Sequence, residues 1–210
     1  MLPCELVSRN GEQLREIVLR LAGAWSCPAA SGDWLRSHVV WANSLVDRIV
    51  SEALGPVGAI AEPYALWAIE RQPRLVLPCT HPAIVLTDEL VRFERLKLFL
   101  LNLGHTLLAD GWMHGGHPAD MSVLQAMHHP ALRRALEEAW LIEVLPVFDA
   151  LGQGQEARTY LVGLRDRLLN PFLVHRVADI AQNHRLKVER RIAPLVKLAQ
   201  QPFDREATPS

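Results

Sequence analysis

Apolar side chains recur at helical spacing along most of this chain. Leu14, Ile17, Val18 and Leu21 follow the i, i+3, i+4, i+7 rule and predict a helix over Gly11–Ala24. Cys27-Pro28-Ala29-Ala30-Ser31-Gly32 breaks it. A short helix is expected from Asp33 and another over Asn43–Ser51. Between Gly55 and Asp88 the pattern changes: Pro56, Pro63, Pro73, Pro78 and Pro82 punctuate it, and Tyr64–Ile69 and Ile84–Leu86 read as short strands. Beyond Asp88 the helical period returns. Thr87 or Asp88 is the expected N-cap of a long helix ending near Asp110. Further helices fit Pro118–Met127, Pro130–Leu151, Ala157–Leu168, Pro171–Asn183 and Leu186–Gln200, with a kink at Pro146. The fold class expected is mainly α, multi-helical, with a small β element around residues 60–87.

Composition narrows the function. The net charge of −1 leaves no field to attract nucleic acid or an anionic membrane. No apolar run is long enough to span a bilayer, and the N-terminus lacks the basic and apolar regions of a secretory signal. Cys4, Cys27 and Cys79 are odd in number and widely spaced, which argues against a disulfide framework and for a reducing cytoplasm. His114-Gly115-Gly116-His117, with Asp110, Asp120, His128 and His129 nearby, has chelating groups but no rigid HExxH helix, so no metal is expected.

The strongest local signal is RFERLKLFLLNLGHTLLADGW. Leu96, Leu98, Phe99, Leu100, Leu103 and Leu107 cover nearly the whole helix circumference, as in a helix buried on all sides. Yet it carries Lys97, Asn102 and His105. At 100° per residue, Asn102 lies about 140° and His105 about 80° from Lys97, so the three are expected to share one sector and climb it over about two turns. Desolvation disfavours a charged lysine, which is how a lysine becomes a general base near neutral pH. Asn and His beside it can hold an oxygen on which charge develops. The chemistry suggested is alcohol–carbonyl interconversion. The plain alternative is a snorkelling Lys97 and a satisfied core His105.

At these residues the sequence resembles the long-chain polyol dehydrogenases, the mannitol dehydrogenase family, which includes the hexuronate reductases. That family's signature is a lysine, four residues, an asparagine, two residues and a histidine, here Lys97, Asn102 and His105. Arg9-Asn10-Gly11-Glu12 resembles the family's NGE segment, and the resemblance gives Asn10 the role of second oxyanion donor. Asn43-Ser44-Leu45-Val46-Asp47-Arg48-Ile49 resembles N-S-M-V-D-R-I, which points to Asp47 as a substrate-site residue. Glu62-Pro63-Tyr64 and Asn170-Pro171-Phe172 also fit, and the resemblance runs from about residue 2 to about residue 200.

There are departures. Cys4-Glu5 is followed by Leu6 rather than asparagine, and Trp41-Ala42 replaces an aromatic-Pro. Of the polyol branch's arginine and lysine eight apart, the matching positions are Asp179 and Lys187, so the arginine is lost. His175 resembles a histidine of the hexuronate reductases. The resemblance therefore implies a sugar acid, aldonate or keto-uronate, over mannitol, its carboxylate held by His175 and Lys187.

The family's cofactor is NAD or NADP, whose fold needs a G-x-G-x-x-G turn. This sequence has none; Gly152-Gln153-Gly154 is the nearest approach. The expectation is therefore a chain without a Rossmann domain: residues 1–10 the remnant of a nucleotide-binding domain, 11–200 a helical substrate/catalytic domain, 201–210 a tail. The missing N-terminal domain would be its partner, docking on an exposed apolar face near Asn10, Asp47 and Lys97. The reading from another class is a non-catalytic helical module that acts in protein interaction or is inactive by itself.

Overall fold

The computed structural model describes residues 1–206, with side chains to residue 200. The chain forms two compact units, one of residues 1–48 and 64–94, the other of 49–63 and from Arg95 onward.

The first unit opens with α1 (Asn10–Ala24) and α2 (Ala29–His38). Arg9, in the left-handed region at φ 54°, offers no side-chain cap. The cap comes instead from Asn43, whose Oδ1 accepts from the N–H groups of Gly11 (3.1 Å) and Glu12 (3.3 Å). Gly11 is required there, because a Cβ would stand 2.5 Å from the Ala42 backbone. The apolar stripe of α1 stays largely uncovered: only Asn10 and Gly11 of this helix are buried, and Ile17 and Leu21 are exposed.

Strand β1 (Ser44–Asp47) stands where a helix over Asn43–Ser51 was expected. It pairs antiparallel with β4 (Leu66–Glu70), Ser44 opposite Ile69 and Asp47 opposite Leu66. β4 in turn pairs parallel with β5 (Ile84–Thr87). A segment this short has weak helical preference, and its branched Val46, Ile49 and Val50 suit a pleated surface once partners exist. The β structure therefore begins at residue 44 rather than 60.

In the second unit, β2 (Val50–Leu54) and β3 (Gly58–Ala61) form an antiparallel hairpin. The helices follow. α3 (Leu90–Leu96), counted with the first unit as far as Glu94, runs into a π-helical turn, Lys97–Asn102, and on into α4 (Leu103–His114). α5 (Val123–His128) starts in a reciprocal capping box between Ser122 and Gln125. α6 (Pro130–Glu138) and α7 (Leu145–Ala150) are joined by a second π-turn, Ala139–Val144. That turn is the form the expected Pro146 kink takes: proline lacks the N–H and its ring clashes with the carbonyl four residues back, that of Ile142. α8 (Gly154–Leu168) precedes an irregular segment, and α9 (Val177–Ala181) is far shorter than the helix expected over Pro171–Asn183. α10 (His184–Glu206) closes the described chain, so the first part of the expected tail is helical, and residues 207–210 lie outside the described residues.

The core of this unit is packed by Leu100, Leu108, Leu136, Trp140, Phe148, Leu161 and Leu164, all nearly fully buried. Among the described residues, no helix is long and apolar enough to cross a membrane. The three cysteines are unpaired and exposed.

Candidate active site

Lys97 opens the first π-turn, Asn102 closes it, and His105 lies one turn into α4. The π-turn changes their relation. Its i→i+5 bonding takes about 4.4 residues per turn, near 80° each, in place of the α-helical 100°. Asn102 then falls about 50° from Lys97 rather than about 140°, and His105 returns to within about 10° of it. One widened turn gathers the three onto a common face.

Trp140, fully buried, holds that turn in place. Its Nε1–H donates to the carbonyl of Leu100 at 3.2 Å. Gly104 allows the approach, since a Cβ there would come within 2.8 Å of the Trp140 ring. On the other side of the ring, Arg165 stands 5.9 Å from its centroid while paired to Glu137 at 2.6 and 2.8 Å.

Lys97 is buried, at 9% exposure. The Asn102 carbonyl accepts from Thr106 Oγ1 (3.1 Å) and Arg191 Nη1 (2.6 Å), while its side-chain amide makes no hydrogen bond among the described residues. His105 is buried, and its Nε2 has no partner among the described residues. Burial first, then His175, Arg191, Arg167 and Lys187, hold its imidazole well below the usual histidine range, so it is neutral at physiological pH. His175 meets it edge to face at 5.0 Å and is itself pushed down by burial. Lys187 Nζ donates to the Ile180 carbonyl at 2.7 Å, and burial lowers its pKa, with Arg191 adding to the effect.

Five of the expected residues, Lys97, Asn102, His105, His175 and Lys187, thus lie in the second unit, while Asn10 and Asp47 belong to the first. Asn10 is engaged by the backbone: its Nδ2 donates to the carbonyls of Ser44 (2.8 Å), Pro3 (3.1 Å) and Glu5 (3.1 Å), and its Oδ1 accepts from Ser44 N–H (2.9 Å). With Asn43 capping α1, the two segments form a reciprocal clasp. Asp47 is buried at the end of β1, at 1% exposure. Asn10, Asp47 and Lys97 are each buried, while Leu6 and Val7, just before Asn10, are exposed.

Two groups escaped the sequence reading. Arg167 and Glu62 form a buried ion pair, Nε to Oε2 at 2.9 Å and Nη2 to Oε1 at 2.8 Å, and Glu62 Oε1 also accepts from the Ile49 N–H. Arg167 lines a small recess with Ile49, Val123, His105, Asn170 and His175. The other is Arg191, four residues after Lys187; two basic residues on the apolar side of α10, beside Ile192 and Leu195, were the available signal. In the histidine-rich segment, His114 and His184 bond to Asp110 and His117 packs on His129; among the described residues no group of three metal-binding side chains forms.

Comparison with known proteins gives this architecture its class. The Mannitol dehydrogenase C-terminal domain matches residues 89–206, and the Mannitol dehydrogenase Rossmann domain matches residues 1–77. The chain belongs to the mannitol dehydrogenase family. It is 32% identical over 215 residues to altronate oxidoreductase of Cronobacter sakazakii (strain ATCC BAA-894), covering 92% of this chain and 43% of that protein. It is 30% identical over 217 residues to altronate oxidoreductase of Bacillus subtilis (strain 168), covering 94% and 43%. The chain thus spans less than half the length of these relatives. Among solved structures it resembles substrate-free D-sorbitol dehydrogenase (TM-score 0.75, 20% identity, 93% of this chain and 42% of that one). It also resembles Pseudomonas fluorescens mannitol 2-dehydrogenase in ternary complex with NAD and D-mannitol (TM-score 0.66, 21% identity, 92% and 41%).

The expected absence of a Rossmann domain is therefore overturned by the match over residues 1–77. The physical reason is that G-x-G-x-x-G marks a single strand-to-helix turn. The remaining strands and helices of such a domain carry no comparable local mark. In this chain the first N–H groups of α1 are taken by Asn43 Oδ1, so that helix start offers no open phosphate cradle.

Proposed function

We propose that this chain carries the substrate-holding and proton-transfer part of an NAD(P)-dependent oxidoreductase that interconverts a sugar alcohol or aldonate and its keto-sugar or keto-uronate. What carries the reading is the placement of buried Lys97 and of Asn102 at the two ends of one π-turn, followed closely by a neutral His105 whose Nε2 has no partner among the described residues. The Rossmann-domain match and the NAD-bound neighbour support the cofactor class. The altronate oxidoreductase relatives, with His175 and Lys187 beside His105, support an acidic sugar over mannitol.

Oxidation removes a proton from the substrate hydroxyl and a hydride from the same carbon; NAD(P), when bound, accepts the hydride. Lys97 Nζ takes the hydroxyl proton. The Asn102 amide and the His105 imidazole donate to the oxygen as negative charge develops. A neutral imidazole suits this work, because it donates a hydrogen bond without giving up its proton. Asn10 is the further donor that the family signature supplies, on condition that its amide exchanges a backbone carbonyl for the substrate. Asp47 is a substrate-site residue on the same ground.

The test is steady-state reduction of a keto-hexuronate by NADH or NADPH with the purified protein and with Lys97→Met. Uronate-dependent turnover, abolished by the substitution with cofactor binding intact, is the expected result. Full activity in Lys97→Met overturns the base assignment. A protein that neither binds cofactor nor turns over any sugar substrate overturns the whole reading and leaves the non-catalytic module.

A further inference from the structure

Several arginines of the second unit are at least partly withdrawn from water. Arg165 is paired to Glu137 and Arg167 to Glu62, each through two nitrogens. Arg191, also withdrawn from water, has no carboxylate partner among the described residues. Its Nη1 donates to the Asn102 carbonyl and to Thr106 Oγ1, both at 2.6 Å. One corner of the guanidinium is thereby pinned where the π-turn meets α4, and among the described residues the Nε–Nη2 edge makes no hydrogen bond.

An uncompensated guanidinium removed from water is unfavourable, and a neutral site gives no reason to keep it. Lys187, one helical turn earlier, adds a second positive charge, and like charges at this spacing repel. Among the described residues it bonds only to a neutral carbonyl, that of Ile180. Asp179, the carboxylate of α9, acts on His175 and pairs with neither. An anion would relieve both cations at once, and the planar Nε–Nη2 edge matches a carboxylate's two oxygens.

We propose that Arg191 binds the substrate's carboxylate through its Nε–Nη2 edge, with Lys187 beside it, and so selects an acidic sugar over a neutral one. This rests on the oxidoreductase reading above. Arg191 takes the part of the arginine lost at Asp179, from a different helix. Asn102 joins the two ends of the site, its amide facing the reacting oxygen and its carbonyl fixing the arginine.

The test compares a keto-hexuronate with the neutral ketohexose of the same chain length, in the wild type, Arg191→Gln, Arg191→Lys and Thr106→Val. In Arg191→Gln, kcat/KM for the uronate should fall roughly 10- to 100-fold, mostly through KM, with little change for the ketohexose. Arg191→Lys should recover part of the loss. Thr106→Val, which removes one of the two bonds that pin Arg191, should give a smaller loss in the same direction, for the uronate and not for the ketohexose. Equal losses for both substrates in Arg191→Gln, or none for the uronate, overturn the proposal. If the wild type turns over neither sugar, the oxidoreductase reading fails, and calorimetric titration decides this one separately. Uronate bound by the wild type and not by Arg191→Gln supports it; no uronate binding to the wild type overturns it.

Discussion

The indole of Trp140 donates to the main-chain carbonyl of Leu100, so a residue of the second π-turn fixes the first. The bond is buried and touches neither Lys97 nor His105 directly. Its work is to hold a turn whose backbone pattern is less regular than the α-helix on either side.

Trp140→Phe keeps most of the ring and removes the N–H. A buried carbonyl losing that donor costs about 1–2 kcal/mol of stability. Turnover should fall about tenfold, with KM little changed, because the displaced groups are those that act on the reacting oxygen. Urea denaturation and steady-state kinetics measured together check this; a loss of stability with kcat intact would remove Trp140 from the site.

Glu62→Gln leaves Arg167 charged and buried beside a neutral amide. Breaking such a pair costs about 3–5 kcal/mol, whereas replacing both partners by apolar groups is far milder. The double variant Glu62→Leu/Arg167→Met should therefore unfold at a higher urea concentration than Glu62→Gln alone. The reverse order would show that the pair's charge is not what the fold depends on.

The neutral state of His105 gives stability a pH dependence of definite sign. Its pKa is depressed in the folded state, so the unfolded chain binds the extra proton more readily and stability rises with pH. The contribution is complete above the ordinary histidine value of about 6.5 and is lost as pH falls below it toward the folded-state value. Urea midpoints measured between about pH 5 and pH 7 should slope downward on the acid side. His105→Gln should flatten that slope; an unchanged slope would assign it to another group.

The sequence showed Lys97, Asn102 and His105, and the lone charge in an apolar helix was a sound signal. Their angular relation was not legible, because the wheel assumed a regular helix and nothing in Lys97–Asn102 announces a π-turn. Trp140 and Gly104, which accommodate it, lie on separate helices. Asn43 read as the start of a helix, yet it caps a different one, α1, from beyond α2. Such contacts over long sequence separations decide between strand and helix at Ser44–Asp47, where local preference is weak. Arg191 escaped notice because arginine on a terminal helix is ordinarily solvated; only its anchoring on Asn102 and Thr106 sets it apart.

A π-turn holds one residue more than the α-helical turn it replaces. Deleting a single residue between Lys97 and Asn102 would let the stretch from Leu90 to His114 close into one regular helix. The same deletion would swing Lys97 by roughly a quarter-circle away from His105. Backbone regularity and catalytic aim are thus set against each other by one surplus residue. The gene can lose the chemistry by a three-base deletion while the protein keeps its core.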